Sequence, residues 1–197
     1  MTVLVIAIAA GGLGLLDRAG LFGQRAGGGD LSRYHNKSFR VVRVVDGDTI
    51  DLATPDGQRA MTRVRLWGVD TPECVRPDWP IEHFGPEASA FTKRVCAGKT
   101  VRVDLHFSET RCKYGRLLAY VILPDGTCLN EQLIVQGYGY ADLRYPHPRY
   151  KEFIAAMRKA RRDGTGLWRE VTGVQMPGYL PESYWPKRPK LQPADEK

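Results

Sequence analysis

The sequence predicts an α+β protein, mainly β, in which five short strands close into a small barrel and three helices pack against it. Three observations support this prediction. Val101, Val103 and Leu105 alternate with polar residues, which is the period of a half-buried strand. Turn signals at residues 54–57 and 124–127 contain Pro, Asp and Gly, and they separate segments rich in Val, Ile and Leu. Amphipathic helical patterns lie between and after these segments.

The predicted strands lie in four segments of the chain. Residues 40–52 are dense in Val and Ile, and residues 58–69 return after the first turn as a second arm. The alternating segment 101–107 and the apolar segment 117–123 follow. Because five short strands are interrupted by a helix between the third and the fourth, we expect a barrel of the oligonucleotide-binding (OB) type.

The three helices are predicted from their start signals, stop signals and apolar faces. The first begins at Pro86, a favoured first helical position, and stops near Gly98. The second covers residues 130–136 and is closed by Gly137. The third covers residues 149–162, with apolar residues on one face and Arg and Lys on the other.

Residues 1–37 are predicted to precede the folded domain. Residues 3–16 are apolar and uncharged, but a membrane-spanning helix needs about 20 such residues. This length is typical of a signal peptide, and the glycines at 27–29 indicate a flexible linker. We therefore expect a signal peptide or membrane anchor, and an exported protein that is secreted, periplasmic or membrane-anchored. A buried core helix is the alternative interpretation.

Residues 38–168 form the predicted domain, and residues 169–197 form a Pro-rich tail. The tail is expected to be extended or disordered, because charged residues separate its prolines. Three aromatic residues would lay the tail over the domain: Tyr179, Tyr184 and Trp185.

Two acidic clusters follow predicted strands. The first contains Asp46 and Asp48, and the second contains Asp70, Thr71 and Glu73. Calcium prefers carboxylate and carbonyl oxygens at about 2.3–2.6 Å, so two strand ends that each supply an Asp would hold one ion. A polar turn without a metal is the alternative interpretation of each cluster.

Two arginines accompany the acidic clusters. Arg65 precedes Asp70 by five positions, and Arg116 ends the segment 113–116. A guanidinium binds two phosphate oxygens at once and stays protonated, so it can stabilise extra charge on a pentacoordinate phosphorus. With a metal, and with Glu73 to activate or position a water, the arginines predict phosphodiester hydrolysis. The net charge of +7 favours a polyanionic partner such as nucleic acid or an anionic membrane.

Other chemistries are not supported by the sequence. It contains no P-loop, no Gly-x-Ser-x-Gly elbow and no His-Glu-x-x-His motif. The cysteines have neither C-x-x-C nor zinc-finger spacing, so structural zinc is not expected. The four histidines are scattered and are interpreted as structural or surface residues: His35, His83, His106 and His147.

Several short motifs follow one another along the chain. They are Asp-Gly-Asp-Thr at 46–49, Asp-Thr-Pro-Glu at 70–73, Phe-Gly-Pro-Glu-Ala at 84–88, Lys-Tyr-Gly-Arg at 113–116 and Leu-Trp at 167–168. This arrangement resembles the thermonuclease (staphylococcal nuclease) family over residues 39–168. The resemblance implies that Asp48 and Asp70 bind calcium through their carboxylates and Thr71 through its backbone carbonyl. Asp46 would lie just outside these ligands.

The resemblance also implies catalytic and substrate-binding residues. Two phosphate-binding arginines and a general base are implied: Arg65, Arg116 and Glu73. Lys113 and Tyr114 match residues that contact the terminal phosphate of a nucleotide, and Tyr145 matches an aromatic residue of the base pocket. Leu143 stands where the family has a second pocket tyrosine, so the resemblance does not extend base stacking to this position.

We therefore expect a monomeric, calcium-dependent endonuclease and exonuclease that hydrolyses DNA and RNA with low sequence specificity. Water would be the nucleophile, and the family implies 3′-phosphate products. The alternative from another class is a catalytically silent barrel that binds nucleic acid or peptide. The presence of all five metal-binding and catalytic side chains disfavours it: Asp48, Arg65, Asp70, Glu73 and Arg116. A membrane-anchored calcium scaffold would leave the arginines unexplained.

Four cysteines allow two disulfides in an oxidising compartment, with three pairings. Buried free thiols are the alternative for Cys96 and the others. Cys74 follows Glu73 and Cys112 precedes Lys113, so both would lie near the site that the resemblance implies. We expect these two to pair if the chain is exported.

Overall fold

The computed structural model describes residues 28–75, 80–172 and 175–184 of the 197-residue chain. The strands in these residues are β1 (Lys37–Asp46), β2 (Thr49–Leu52), β3 (Thr62–Leu66), β4 (Val69–Asp70), β5 (Thr100–Asp104), β6 (Leu117–Ile122) and β7 (Tyr140–Ala141). Five of them close into a barrel in the spatial order β1-β2-β3-β6-β5, and β4 pairs with β7 beside it. The predicted α+β fold with an OB-type barrel is therefore confirmed.

The barrel closes because β1 is long enough to pair with two strands. Residues 37–40 pair with β5, and residues 41–46 pair with β2. The register of the second pairing shifts twice along β1, and such irregularities increase the local bend of a strand. β3 and β6 then pair in parallel, which places Arg65 beside Leu118.

Within the described residues, four α-helices pack around the barrel: α1 (Gly28–Tyr34), α2 (Gly85–Cys96), α3 (Leu129–Val135) and α4 (Tyr150–Arg162). The last three are the predicted helices, with bounds within two residues of those expected. Pro86 lies in the first turn of α2, where its missing N–H costs no hydrogen bond. α4 buries Phe153, Met157 and Ala160, which form the apolar face of the predicted pattern.

The sequence does not predict α1, since its residues fall in the segment interpreted as leader and linker. Glycines are poor helix formers, and a helix of this length is unstable by itself. Tertiary contacts stabilise it: Tyr34 is fully buried, and its hydroxyl lies 3.1 Å from Oγ1 of Thr62. Asp30 also forms an ion pair of 2.7 Å with Arg111. Residues 28–34, which the sequence assigns to the leader and linker, therefore pack as a helix on the domain.

Part of the predicted tail packs on the domain. Met176, Leu180 and Tyr184 are buried, and the Tyr184 hydroxyl accepts a hydrogen bond from Arg158 at 3.0 Å. Trp185 and the rest of the predicted tail lie outside the described residues, as does the predicted signal peptide or anchor. No helix in the described ranges is both long and apolar enough to cross a membrane.

Candidate active site

The turn between β1 and β2 buries two carboxylates. Asp46 and Asp48 are 6% and 2% exposed, respectively. Gly47 lies between them, and a Cβ atom there would be 2.6 Å from the Thr71 hydroxyl, so this close approach requires glycine. Thr92 of α2 donates a hydrogen bond of 2.6 Å to the Gly47 carbonyl. The turn is thereby held between α2 and the loop that follows β4.

Asp48 and Asp70 come from different hairpins and meet at one arginine. The Asp48 carboxylate accepts hydrogen bonds from the Thr71 backbone N–H at 3.0 Å and from the Thr71 hydroxyl at 3.2 Å. The Arg65 guanidinium contacts Asp48 through Nη1 and Asp70 through Nη2, the latter at 2.6 Å. β3 places Arg65 here because it pairs in register with Thr49 of β2, next to Asp48.

Burial dominates the electrostatics of these groups. It raises the pKa of Asp46 to about 7, with repulsion by Asp48 adding to the effect and a hydrogen bond from Cys74 opposing it. Burial also raises the pKa of Asp70, and the attraction of Arg65 only partly offsets it. Burial disfavours the charged form of Arg65, but attraction to Asp48 and Asp70 outweighs it and raises its pKa. Arg65 is therefore a permanent cation.

The donor chemistry fits a hard cation. The Asp48 and Asp70 carboxylates both contact the Arg65 guanidinium, and the Thr71 hydroxyl contacts Asp48. Oxygen ligands of this kind suit calcium. Within the described ranges, no three His, Cys, Asp or Glu side chains converge as a ready-made metal site. Further ligands would therefore have to be backbone carbonyls, water or substrate oxygens.

An open cleft of about 770 Å³ lies beside this cluster. It brings together the end of β3 with β4, the loop before β6 and the segment after β7. All the catalytic and substrate-binding side chains that the resemblance implies line the cleft, and so does Asp70, one of the two implied calcium-binding aspartates. These residues are Arg65, Asp70, Glu73, Lys113, Tyr114, Arg116 and Tyr145. Asp46, Asp48 and Thr71 are buried next to the cleft and are absent from its lining.

Two aromatic rings on the cleft are unusually exposed. Tyr114 is 66% and Tyr145 is 56% exposed, although both are large rings. Lys113 and Arg116 lie 5.0 and 5.5 Å from the centre of the Tyr114 ring. Exposed rings beside cations are suited to stack on bases while the cations contact phosphates. Leu143, at the position of the family's second pocket tyrosine, packs partly buried against the core.

Glu73 is held at the start of its loop. Its Oε1 atom accepts hydrogen bonds from the backbone N–H groups of Cys74 at 3.1 Å and Val75 at 3.0 Å. Its own N–H donates to Glu82 at 2.9 Å. The Glu73 carboxyl also hydrogen-bonds to Asp46. The backbone of this loop therefore orients Glu73, the predicted general base.

The predicted disulfide between Cys74 and Cys112 is wrong. All four cysteines lie in the described part of the chain, and all four are free thiols. The Cys74 thiol donates to Asp46 Oδ1 at 3.1 Å, whereas Cys112 accepts from Nε of Arg116 at 3.5 Å. Each sulfur therefore contacts a different part of the site. Cys112 lines the cleft beside Arg116, which lowers its pKa despite the opposing effect of burial.

None of the four histidines lines the cleft. His147 is buried, and its Nδ1 atom lies 2.8 Å from the Tyr120 hydroxyl. Burial lowers its pKa to about 4, so the ring is neutral at physiological pH. His147 therefore supports the packing between the barrel and α4, which agrees with its interpretation as structural.

Two residues that the sequence does not assign to the site contact Asp70. The Tyr179 hydroxyl donates to Asp70 Oδ2 at 2.9 Å, and Nη2 of Arg144 lies 3.1 Å from the same oxygen. Burial, followed by the charge of Asp70, raises the pKa of Tyr179, so its hydroxyl remains a donor. Tyr179 is 109 positions from Asp70, and no local pattern indicates such a contact.

Comparison with known proteins agrees with this geometry. The sequence model of the family described as staphylococcal nuclease homologue matches residues 63–170. The thermonuclease of Staphylococcus hyicus is 38% identical over 139 residues, 70% of this chain and 79% of that protein. The thermonuclease of Staphylococcus intermedius is 41% identical over 133 residues, 67% of this chain and 76% of that protein. Endonuclease YhcR of Bacillus subtilis (strain 168) is 36% identical over 139 residues, but these are only 11% of that protein.

The family match includes the cleft residues of β3, β4 and the loop before β6. More than half of the chain is matched, and both thermonucleases are covered over more than two thirds of their length. The chain therefore belongs to the staphylococcal nuclease family of phosphodiester hydrolases.

Proposed function

We propose that this protein is a calcium-dependent nuclease that cleaves DNA and RNA with low sequence specificity. The observation that carries the proposal is the convergence of Arg65, Arg116 and Glu73 on the cleft that Asp70 also lines. The names of the relatives, thermonuclease and endonuclease, support the same activity. The proposed products carry a 3′-phosphate, as the family resemblance implies.

The proposed metal ligands are Asp48, Asp70 and Thr71, with Asp46 behind them. Asp48 and Asp70 both contact the guanidinium of Arg65, so their carboxylates already face a common positive charge. When bound, calcium would supply positive charge next to a phosphate oxygen of the substrate. Asp46 contacts the Cys74 thiol and the Gly47 N–H, and among the described contacts it makes none with Arg65.

The arginines are proposed to bind and stabilise the phosphate. Arg65 lines the cleft from β3 and Arg116 from the loop before β6, so a phosphate between them would be contacted from both sides. The transition state gathers more charge on its oxygens than the ground state does. A guanidinium aimed at those oxygens therefore binds the transition state more strongly, which lowers the barrier.

Glu73 is proposed to take the proton of the attacking water or to position that water. It lines the same cleft as both arginines, and the Cys74 and Val75 backbone groups hold one of its oxygens. A general base must lie within hydrogen-bond reach of the proton that it removes. A water in the cleft between Glu73 and the phosphate would meet this requirement.

Substrate binding is proposed to rest on stacking and charge. Tyr114 and Tyr145 are exposed on the cleft, and Lys113 lies beside the first of them. Stacking and phosphate contacts tolerate every base, which gives low sequence specificity. We also propose that the chain acts as an exported monomer, with residues 3–16 as the export signal or membrane tether.

The test is cleavage of DNA and RNA by the purified chain, with calcium and with excess chelator. We expect cleavage only with calcium, and we expect Asp48→Ala to abolish it while circular dichroism shows an intact fold. Asp125→Ala is the matched control, because Asp125 is an exposed aspartate in the turn after β6. Equal cleavage in chelator would contradict the metal assignment. Nucleic-acid binding without cleavage would instead support a silent binding barrel.

A further inference from the structure

A segment beyond the family match packs against the domain. Residues 175–184, called here the C-terminal strap, follow the matched range 63–170. Met176 and Leu180 of the strap are buried in the core. Arg158 and Arg161 on α4 hold the far end of the strap, with hydrogen bonds of 3.0 Å to the Tyr184 hydroxyl and 2.6 Å to the Ser183 carbonyl. The strap is therefore fixed at several points along its length.

The strap brings one side chain to the proposed metal ligand. The Tyr179 hydroxyl donates to Asp70 Oδ2 at 2.9 Å, and the guanidinium of Arg144 lies 4.2 Å from the centre of the Tyr179 ring. Arg144 itself contacts Asp70 Oδ2 at 3.1 Å and is held by Asp142 at 2.8 and 2.9 Å. Tyr179 thus contacts Asp70 directly and also packs against the only arginine that shares this oxygen in the described structure.

The two oxygens of Asp70 have different partners. Oδ1 contacts Arg65, whereas Oδ2 contacts Tyr179 of the strap and Arg144, and both arginines line the cleft. A carboxylate that is held by one oxygen cannot rotate freely, so its other oxygen keeps its direction. Hydrogen-bonded partners of this kind orient metal ligands, and their loss typically lowers metal affinity by about 10–100-fold.

We propose that Tyr179 is a positioning residue that holds Oδ2 of Asp70 and thereby fixes the orientation of this carboxylate as a calcium ligand. This inference rests on the proposed function, because it requires Asp70 to be a calcium ligand. It assigns a role in calcium binding to a residue outside the range 63–170 that the family model matches. It also has a reciprocal consequence: if the docked strap strengthens calcium binding, calcium must strengthen strap docking by the same factor.

The test is calcium binding by isothermal titration calorimetry, without nucleic acid. We expect Tyr179→Phe to weaken calcium binding about tenfold, at the lower end of the usual range, since only one hydrogen bond is lost. Tyr184→Phe is the matched control: it removes a strap hydrogen bond to Arg158 but no contact to Asp70, so its affinity should equal that of the wild type. Hydrogen exchange of the wild type should show slower exchange of the Leu180 and Tyr184 amides when calcium is added.

The outcomes separate this inference from the proposed function. A wild type that does not bind calcium overturns both. A wild type that binds calcium, with Tyr179→Phe equal to it, overturns the positioning role alone. Equal weakening by Tyr179→Phe and Tyr184→Phe also overturns that role, because the effect would then come from strap stability. If Tyr179→Phe does not fold, unchanged exchange of the wild-type strap on calcium addition still contradicts the inference.

Discussion

Two clusters in this fold have the same composition, one arginine between two aspartates. In the Arg111 cluster, Arg111 contacts both oxygens of Asp30 on α1, at 2.7 and 2.8 Å, and both oxygens of Asp56, at 2.9 and 2.7 Å. It also donates to the Gly115 carbonyl at 2.9 Å. An arginine has five N–H donors, and these contacts use all of them. The cluster joins α1, the turn after β2 and the loop before β6.

The Arg65 cluster is arranged differently. Arg65 contacts one oxygen of Asp48 and one oxygen of Asp70, and the second oxygen of each carboxylate is held by other partners. Asp48 is nearly inaccessible, whereas Arg65 and Asp70 line the cleft. The guanidinium therefore faces both its aspartates and the space where a substrate would enter.

The pKa values of one aspartate in each cluster, Asp30 and Asp70, shift in opposite directions. Burial tends to raise the pKa of Asp30, but the hydrogen bonds and charge of Arg111 outweigh it and lower the pKa. Burial raises the pKa of Asp70, and the nearby Asp48 adds to this effect beyond what Arg65 offsets. The hydrogen bonds of Arg111 to both aspartates thus stabilise the fold in the first cluster. In the second, burial and the repulsion between Asp48 and Asp70 raise the pKa of Asp70, and a raised pKa of this kind is typical of a functional site.

The largest effect is expected from breaking the Arg65 cluster. Arg65→Ala should lower kcat by about 10³–10⁵-fold, the range for arginines that stabilise phosphoryl-transfer transition states. Arg111→Ala, assayed well below its melting temperature, should retain turnover close to the wild type. The measurement is kcat on single-stranded DNA at saturating calcium. A comparable loss of turnover in both variants would show that the clusters do not differ in role.

A smaller loss of activity is expected for Glu73 than for Arg65, and its pH dependence should distinguish Glu73 from Arg116. Glu73→Gln is expected to lower kcat/KM by about 10²–10⁴-fold, the usual contribution of a general base. It should also flatten the acid limb of the pH–rate profile, because the group that must be deprotonated is gone. Arg116→Ala should lower the rate at every pH and leave the shape of the profile unchanged. If Glu73→Gln keeps the wild-type acid limb, Glu73 is not the base.

The smallest effect is expected on stability, in the Arg111 cluster. Arg111→Ala should lower the free energy of unfolding by about 2–3 kcal/mol, somewhat less than for fully buried pairs. Because the folded pKa of Asp30 lies below its ordinary value of 3.8, its contribution is present above that pH. It is lost as the pH falls through the folded pKa, so the wild type and the variant should converge there.

The measurement for this third prediction is urea unfolding at several pH values. Arg102→Ala is the control, since Arg102 is exposed and donates only to Asn36 among the described contacts, at 2.7 Å. Its free energy of unfolding should remain close to that of the wild type. A gap between wild type and Arg111→Ala that persists unchanged in strong acid would mean that the loss does not come from the ion pairs.

The local patterns of the sequence predicted the barrel strands and three helices. Strand alternation, turn residues and Pro86 act within a few neighbours, and burial of one face is enough to enforce them. The resemblance located the cleft residues for a related reason. The hairpin ends that carry Asp48, Arg65 and Arg116 keep their places whenever the barrel closes in this order.

The sequence by itself therefore determined the barrel, the helices α2 to α4 and the residues that meet in the cleft. Only the tertiary structure decided the helix α1, the separate contacts of the Cys74 and Cys112 thiols, and the contact between Tyr179 and Asp70. These features join segments that are distant in the chain, and each depends on which surfaces meet after the barrel has formed. Local propensity disfavours a helix that begins with glycines, and packing of Tyr34 overrides it. The composition of the two arginine clusters does not explain why Arg111 stabilises the fold while Arg65 faces a cleft. That difference comes from the geometry of their contacts.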